Sequence, residues 1–283
     1  MDKEVTINDI AREAGVSKAT VSRVLNNPEK VAKKTREKVL KVIQEKNYRP
    51  NPMARSLTTR KTGVIGVVVS DITNPFYAVM VRSIEEVCRS YQYHIFLCNT
   101  DGREEEEELY VKSLIEKKVD GIILGATRMN DQEIQNLAKA QTPMVFVSRL
   151  PENREQYDYV IVDSVLGGYL ATKYLLSLGH TKIAYLGGHW PTSSNLERLE
   201  GYKRALEEAG IEMRDEYIYC GEFRMENGYR EGIKILRAGK YRPTAVFSAN
   251  DAMAIGLLEA CNEEGVKVPE ELSIIGFDDI PLS

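Results

Sequence analysis

Lys18, Ala19, Ser22 and Arg23 have the types and spacing needed to read the edges of base pairs. At about 100° per residue along a helix they share a stripe roughly 140° wide, while Thr20, Val21, Val24 and Leu25 fall on the opposite side. Arginine can donate bidentately to guanine, a small apolar group can touch a thymine methyl, and serine or lysine can hold phosphate. An ordinary solvated helix face would have the same pattern. A second group of reactive side chains follows apolar runs further along: Asp71, Asn74, Phe76 and Tyr77; Ser148 and Arg149; Asn250 and Asp251; Asp278 and Asp279. Arg198 opens another helical stretch. Carboxylates and amides exchange hydrogen bonds with hydroxyls, guanidinium clamps oxygens, and aromatic rings stack on a sugar or base. That chemistry is the capture of a small polar ring. Helix capping competes with it, most strongly at Asn250, Asp251 and Asp278.

The first group needs a small helical scaffold, and residues 5–27, VTINDIAREAGVSKATVSRVLNN, supply one. Thr6 and Asp9 form a T-x-x-D start signal, Ile10, Ala11 and Ala14 point inward, Gly15 allows a tight turn, and Ser17 caps a second helix. A third helix is expected at about Thr35 to Lys46, with Tyr48 closing the core. In RPNPMARSLTTRKTG, Asn51 can cap and Pro52 can open a short helix through Met53 to Leu57, marginal when alone; a plain linker is the alternative. Residues 1–62 carry fifteen Lys/Arg against seven Asp/Glu, whereas the whole chain carries 38 against 42. A basic head on an acidic body suits a polyanion that engages only the head.

The second group needs an α/β body. Apolar runs at Val64–Ser70, His94–Cys98, Gly121–Leu124, Met144–Ser148, Val160–Val162, Ile183–Gly187, Ala245–Ser248 and Ile274–Phe277 alternate with helical stretches. Buried parallel sheets, and ligand binding outside the carboxyl ends of their strands, follow from that alternation. Pro151 to Asp158 lacks apolar period and divides the body. The expected segments are a helix-turn-helix headpiece at 1–50, a hinge and linker at 51–62, and lobes at 63–157 and 158–283.

Several classes of function find little support. No phosphate loop, nucleophile elbow, H-E-x-x-H or G-x-G-x-x-G occurs, and His94, His180 and His189 are scattered. Cys88, Cys98, Cys220 and Cys261 lack metal or disulfide spacing, so no metal or cofactor is expected. With neither a signal-peptide core nor an apolar span, a cytoplasmic, non-enzymatic binding protein is expected.

The text VTINDIAREAGVSKATVSRVLNN, YRPNPMARSL, GVIGVVVSDITNPFY, RLEGYKRAL, SANDAMAIG and ELSIIGFDDIP resembles the LacI/GalR family of bacterial transcription regulators over nearly the whole chain. The resemblance implies an all-α headpiece on operator DNA, a periplasmic-binding-protein-like effector domain of two parallel-sheet lobes, a homodimer, and repression controlled by a small molecule such as a sugar. Carried over by position, Lys18, Ala19 and Arg23 face bases; Thr6, Ser17, Thr20, Ser22 and Asn26 contact phosphate or position the helix. Ala54, Arg55 and the wedge Leu57 enter the minor groove. Asp71, Asn74, Phe76, Tyr77, Arg149, Arg198, Asn250, Asp251 and Asp278 form the effector site. The family often has Asp where this chain has Ser148, and it normally continues past DDIPLS to a further crossing, so the chain is expected to be shortened. Trp190 can stack on a ring near the mouth. A protein corepressor on the same fold is one alternative reading, and a periplasmic-type sugar-binding protein is another.

Overall fold

The structure, a computed structural model, describes residues 5–48, 61–125, 131–148, 154–188 and 192–283. It separates into two compact units, 1–62 and 63–283. The expected short helix at 52–57 lies outside the described residues.

In the first unit, α1 (Ile7–Glu13), α2 (Lys18–Asn26) and α3 (Lys33–Glu45) enclose a core of Ile10, Ala11, Ala14, Val21, Val24, Val39 and Val42. The start of α1 is a reciprocal cap: the Thr6 hydroxyl accepts from the Asp9 amide, and the Asp9 carboxylate accepts from the Thr6 amide at 3.1 Å. Gly15 sits at φ +60°, which gives the turn into α2 without a Cβ penalty. The Ser17 hydroxyl then caps α2 by accepting from the Thr20 amide at 3.1 Å. Three short helices, each marginal alone, are held by this shared apolar centre.

The second unit contains two parallel sheets. The first has the order β2-β1-β3-β4-β5, from β1 (Val64–Val69), β2 (His94–Asn99), β3 (Gly121–Gly125), β4 (Met144–Val147) and β5 (Asp158–Val160). Its helices are α4 (Pro75–Ser90), α5 (Glu104–Glu116) and α6 (Asp131–Ala138). The second sheet runs β7-β6-β8-β9, from β6 (Ile183–Gly187), β7 (Ile218–Cys220), β8 (Ala245–Ser248) and β9 (Ser273–Ile275). It is packed by α7 (Ser164–Ser177), α8 (Ser193–Glu208), α9 (Met225–Leu236) and α10 (Asp251–Glu263). Val67, Val68 and Val69 are buried, as is every residue of β6, because helices cover both faces of a parallel sheet.

Two sequence expectations shift. Residues 158–160 pair with β4 and so extend the first sheet past residue 157, where the sequence reading begins the second lobe. Ile161 and Val162, read as strand from their apolar type, are an exposed link instead. β7 has no counterpart among the expected strands, since three residues carry too little pattern to register. No helix among the described residues is long and apolar enough to cross a membrane.

In both sheets the strand order reverses, between β1 and β3 and between β6 and β8, and crevices open at the carboxyl ends beside such reversals. Two helix pairs carry the second lobe, and both cross on glycine. A Cβ on Gly168 would meet the backbone of Arg198, and one on Gly201 would meet the Val165 carbonyl. Gly228 and Gly256 approach Met253 and Met225 in the same way. The first crossing fixes how deeply α8 sits and therefore where Arg198 points. Gly168→Ala should cost about 1–3 kcal/mol through overpacking, seen as a lower denaturation midpoint with an unchanged m-value.

Candidate functional site

On the first unit, α2 presents Lys18, Ala19 and Arg23 to solvent, with Val21 and Val24 buried behind them. Neither Lys18 nor Arg23 forms an ion pair or hydrogen bond among the described residues. The residues expected to position this helix are held by local hydrogen bonds. Ser17 and Thr20 share a hydroxyl contact at 2.9 Å, and the Asn26 amide donates to the Ser22 carbonyl at 3.0 Å. A cationic edge on a rigid helix matches the width of a major groove. Ala54, Arg55 and Leu57 lie outside the described residues.

The second unit holds a cleft between its lobes, about 790 Å³ counted to its open mouth. Of the residues expected there, Asp71, Asn74, Phe76 and Tyr77 line it from the first lobe, and Arg198, Asn250 and Asp278 line it from the second. Arg149 and Trp190 lie outside the described residues. Capping and lining prove compatible: the Asn74 side chain accepts from the Phe76 amide at 3.0 Å, and that of Asn250 accepts from the Met253 amide at 2.9 Å. Asp251 lines the adjoining part of the crevice with Phe76, Ser148, Arg198 and Asp278. Its carboxylate accepts from the Ile280 amide at 3.0 Å and its own amide donates to the Phe277 carbonyl, so it also braces the loop there.

Arg198 is the centre of the site. Burial leaves it 8% exposed; it donates through one terminal nitrogen to the Ala249 carbonyl and lies 3.8 Å from the Phe277 ring centroid. Its other terminal nitrogen is 3.8 Å from Asp278 Oδ1. Arg198 Nε is buried with no hydrogen-bond partner among the described residues. A buried donor left open is costly, and a ligand oxygen would answer it. Burial also lowers the guanidinium pKa, partly offset by Asp278. The Asp278 carboxyl is pushed up to about 7, first by burial, with Arg198 opposing and Asp251 adding to the rise. Desolvation raises the Tyr77 hydroxyl, against a hydrogen bond with Ser70. Ser148 and Asp278 hold φ of +66° and +109°, non-glycine backbone in the left-handed region at the cleft wall.

Ser70, Asp101, Gly102, Thr192, Ser194, Glu222, Phe223 and Arg224 also line the cleft and are not expected from the sequence. Glu222, Phe223 and Arg224 follow the unread strand β7, so the strand-end rule that finds the others had no end to mark. Thr192 and Ser194 form an ordinary helix-start pattern.

The family model described as "Bacterial regulatory proteins, lacI family" matches residues 6–51, and "Periplasmic binding proteins and sugar binding domain of LacI family" matches residues 62–281. The HTH-type transcriptional repressor PurR of Vibrio vulnificus is 42% identical over 279 residues, 98% of this chain and 83% of that protein. Among solved structures, a lac repressor dimer bound to operator and the anti-inducer ONPF superposes with a TM-score of 0.84 at 29% identity, covering 99% of this chain and 84% of the other. A CelR–cellobiose complex superposes at 0.69 and 31% identity, covering 98% and 84%. The protein-corepressor alternative gains no support from these likenesses. The headpiece match goes against a periplasmic-type binding protein.

The raised Asp278 carboxyl makes stability depend on pH. Below the ordinary value of 3.8 the group is protonated in both folded and unfolded chains; between 3.8 and about 7 only the folded chain keeps the proton. Its contribution is therefore full at low pH, falls as pH rises through that window and is flat above it. Asp278→Asn should remove this fall, checked by comparing urea unfolding of the two ligand-free proteins between pH 4 and 8.

Proposed function

The chain belongs to the lacI family of bacterial regulatory proteins and is a DNA-binding transcriptional repressor under small-molecule control; we propose that a sugar or sugar derivative in the interlobe cleft sets its operator affinity. The observation that carries this reading is the convergence of Asp71, Asn74, Phe76, Tyr77, Asn250 and Asp278 around the unanswered Nε of Arg198. Hydroxyl oxygens can accept from that nitrogen while aromatic side chains cover the apolar face of a ring.

Control works by population shift. A ligand that binds one lobe orientation more tightly moves the protein toward it, and only such a difference in affinity has leverage. The protein acts as a homodimer in the cytoplasm, without turnover of its ligand. In this reading Lys18, Ala19 and Arg23 contact bases, and Thr6, Ser17, Thr20, Ser22 and Asn26 position the headpiece on phosphates. By family resemblance, Ala54, Arg55 and Leu57 enter the minor groove, where an apolar wedge costs unstacking and gains a bend. Segments 1–50, 51–62, 63–160 and 161–283 are the corresponding headpiece, hinge and lobes, with the lobe break moved to follow the pairing of β5.

Titration calorimetry with a panel of sugars tests the cleft. Saturable binding without product is expected, and Arg198→Met should weaken it by about tenfold or more, the loss of hydrogen bonds to a charged group. Turnover of a panel member, or equal affinity in the variant, would contradict the reading. On the DNA side, Arg23→Ala should lower discrimination at one base pair by about 1–3 kcal/mol if the guanidinium is bidentate there. Selection of operator variants with both proteins measures this, and an unchanged preference removes Arg23 from the reading set.

A further inference from the structure

Arg224 precedes α9 on the second lobe, and its guanidinium reaches the first. Nε lies 3.4 Å from Asp71 Oδ2, and a terminal nitrogen donates to the Asp101 carbonyl at 3.3 Å. Both acceptors are set in place by their own lobe. Asp71 Oδ1 accepts from the Thr73 amide at 2.9 Å and hydroxyl at 2.6 Å, which leaves Oδ2 to face Arg224. Asn99 accepts from the Ile72 amide and donates to Asp101 Oδ1, both at 2.7 Å, tying the two acceptor loops together.

We propose that Arg224 is a strap across the cleft, which holds the ligand-free lobes toward closure and so sets how much closure a ligand still has to supply. The fork geometry of a guanidinium lets one side chain hold a carboxylate and a carbonyl from two loops at once. Its side chain is 44% exposed and that of Asp71 16%, so water and salt weaken the contact. A pair of this kind shifts an open–closed balance by about two- to fivefold. Arg224 acts here as a positioning residue, and its bridge between the lobes does not depend on which polar ring the cleft takes.

Hydrogen exchange on the full chain, without DNA or ligand, tests the strap. Arg224→Ala should speed exchange about two- to fivefold at residues 71–74 and 101–103 of the first lobe, as well as at 222–226. Arg224→Glu, facing Asp71, should speed it further, and Arg224→Lys should keep most of the protection. Raising salt from about 0.05 to about 0.5 M, which shortens the Debye length about threefold, should speed exchange at the same segments of the unaltered protein and leave Arg224→Ala unchanged. Unaltered protection at 71–74 and 101–103 in Arg224→Ala would overturn the proposal, as would equal exchange in the alanine and glutamate variants. Should a variant fail to fold, the salt series on the unaltered protein decides by itself: salt-independent exchange overturns the strap. Because neither operator nor sugar enters the measurement, its failure leaves the repressor reading standing, and failure of that reading leaves the strap testable.

Discussion

A guanidinium taken out of water must have its donors answered, and the placement of Arg198 imposes that demand on the second lobe. An unpaired buried charge costs several kcal/mol, so the groups around it have to be fixed before a ligand arrives. The Ala249 carbonyl just after β8 meets the guanidinium from one loop, and the Phe277 ring and Asp278 carboxylate beyond β9 meet it from another. Each loop is braced in turn. Asp251 holds the Ile280 amide, Asn250 caps α10, and the glycine contact at Gly168 lets α8 sit deep enough for its arginine to reach them. What remains open among the described residues is Nε of the guanidinium.

That arrangement divides the work between the lobes. The second lobe presents a charged, preorganised floor, and the first contributes Asp71, Asn74, Phe76 and Tyr77 from the end of β1 and the start of α4. A ligand touching both walls gains more when they are close together, which is the differential affinity that a switch requires. The charge division along the chain complements this. Residues 1–62 are strongly basic and the remainder acidic, so a duplex is attracted to the headpiece and repelled by the body.

The parts of this architecture that leave a long apolar imprint are legible in the sequence. Val64–Val69, buried from Gly66 onward, and Ile183–Gly187, buried throughout, lie between helices and read as continuous apolar runs. Asp158–Val160 is a sheet edge exposed along its length, so its composition says nothing of its pairing, and Ile218–Cys220 is too short to announce itself. The cleft follows the same logic only in part: Arg224 is hidden with β7, whereas Ser70 and Asp101 follow strands that are legible and still carry no signal that sets them apart from ordinary loop residues. The left-handed backbone at Ser148 and Asp278 carries no glycine marker and is visible only in three dimensions.

The central claim is that cleft and headpiece are two sites of one coupled equilibrium. Linkage makes this measurable with the full-length protein, a selected operator duplex and a sugar that saturates the cleft, by determining the sugar's affinity with and without saturating duplex, and the duplex's affinity with and without saturating sugar. The two ratios should be equal and differ from one by about fivefold or more, the usual range of allosteric coupling. A sugar that binds with the same affinity to free and operator-bound protein would contradict the account.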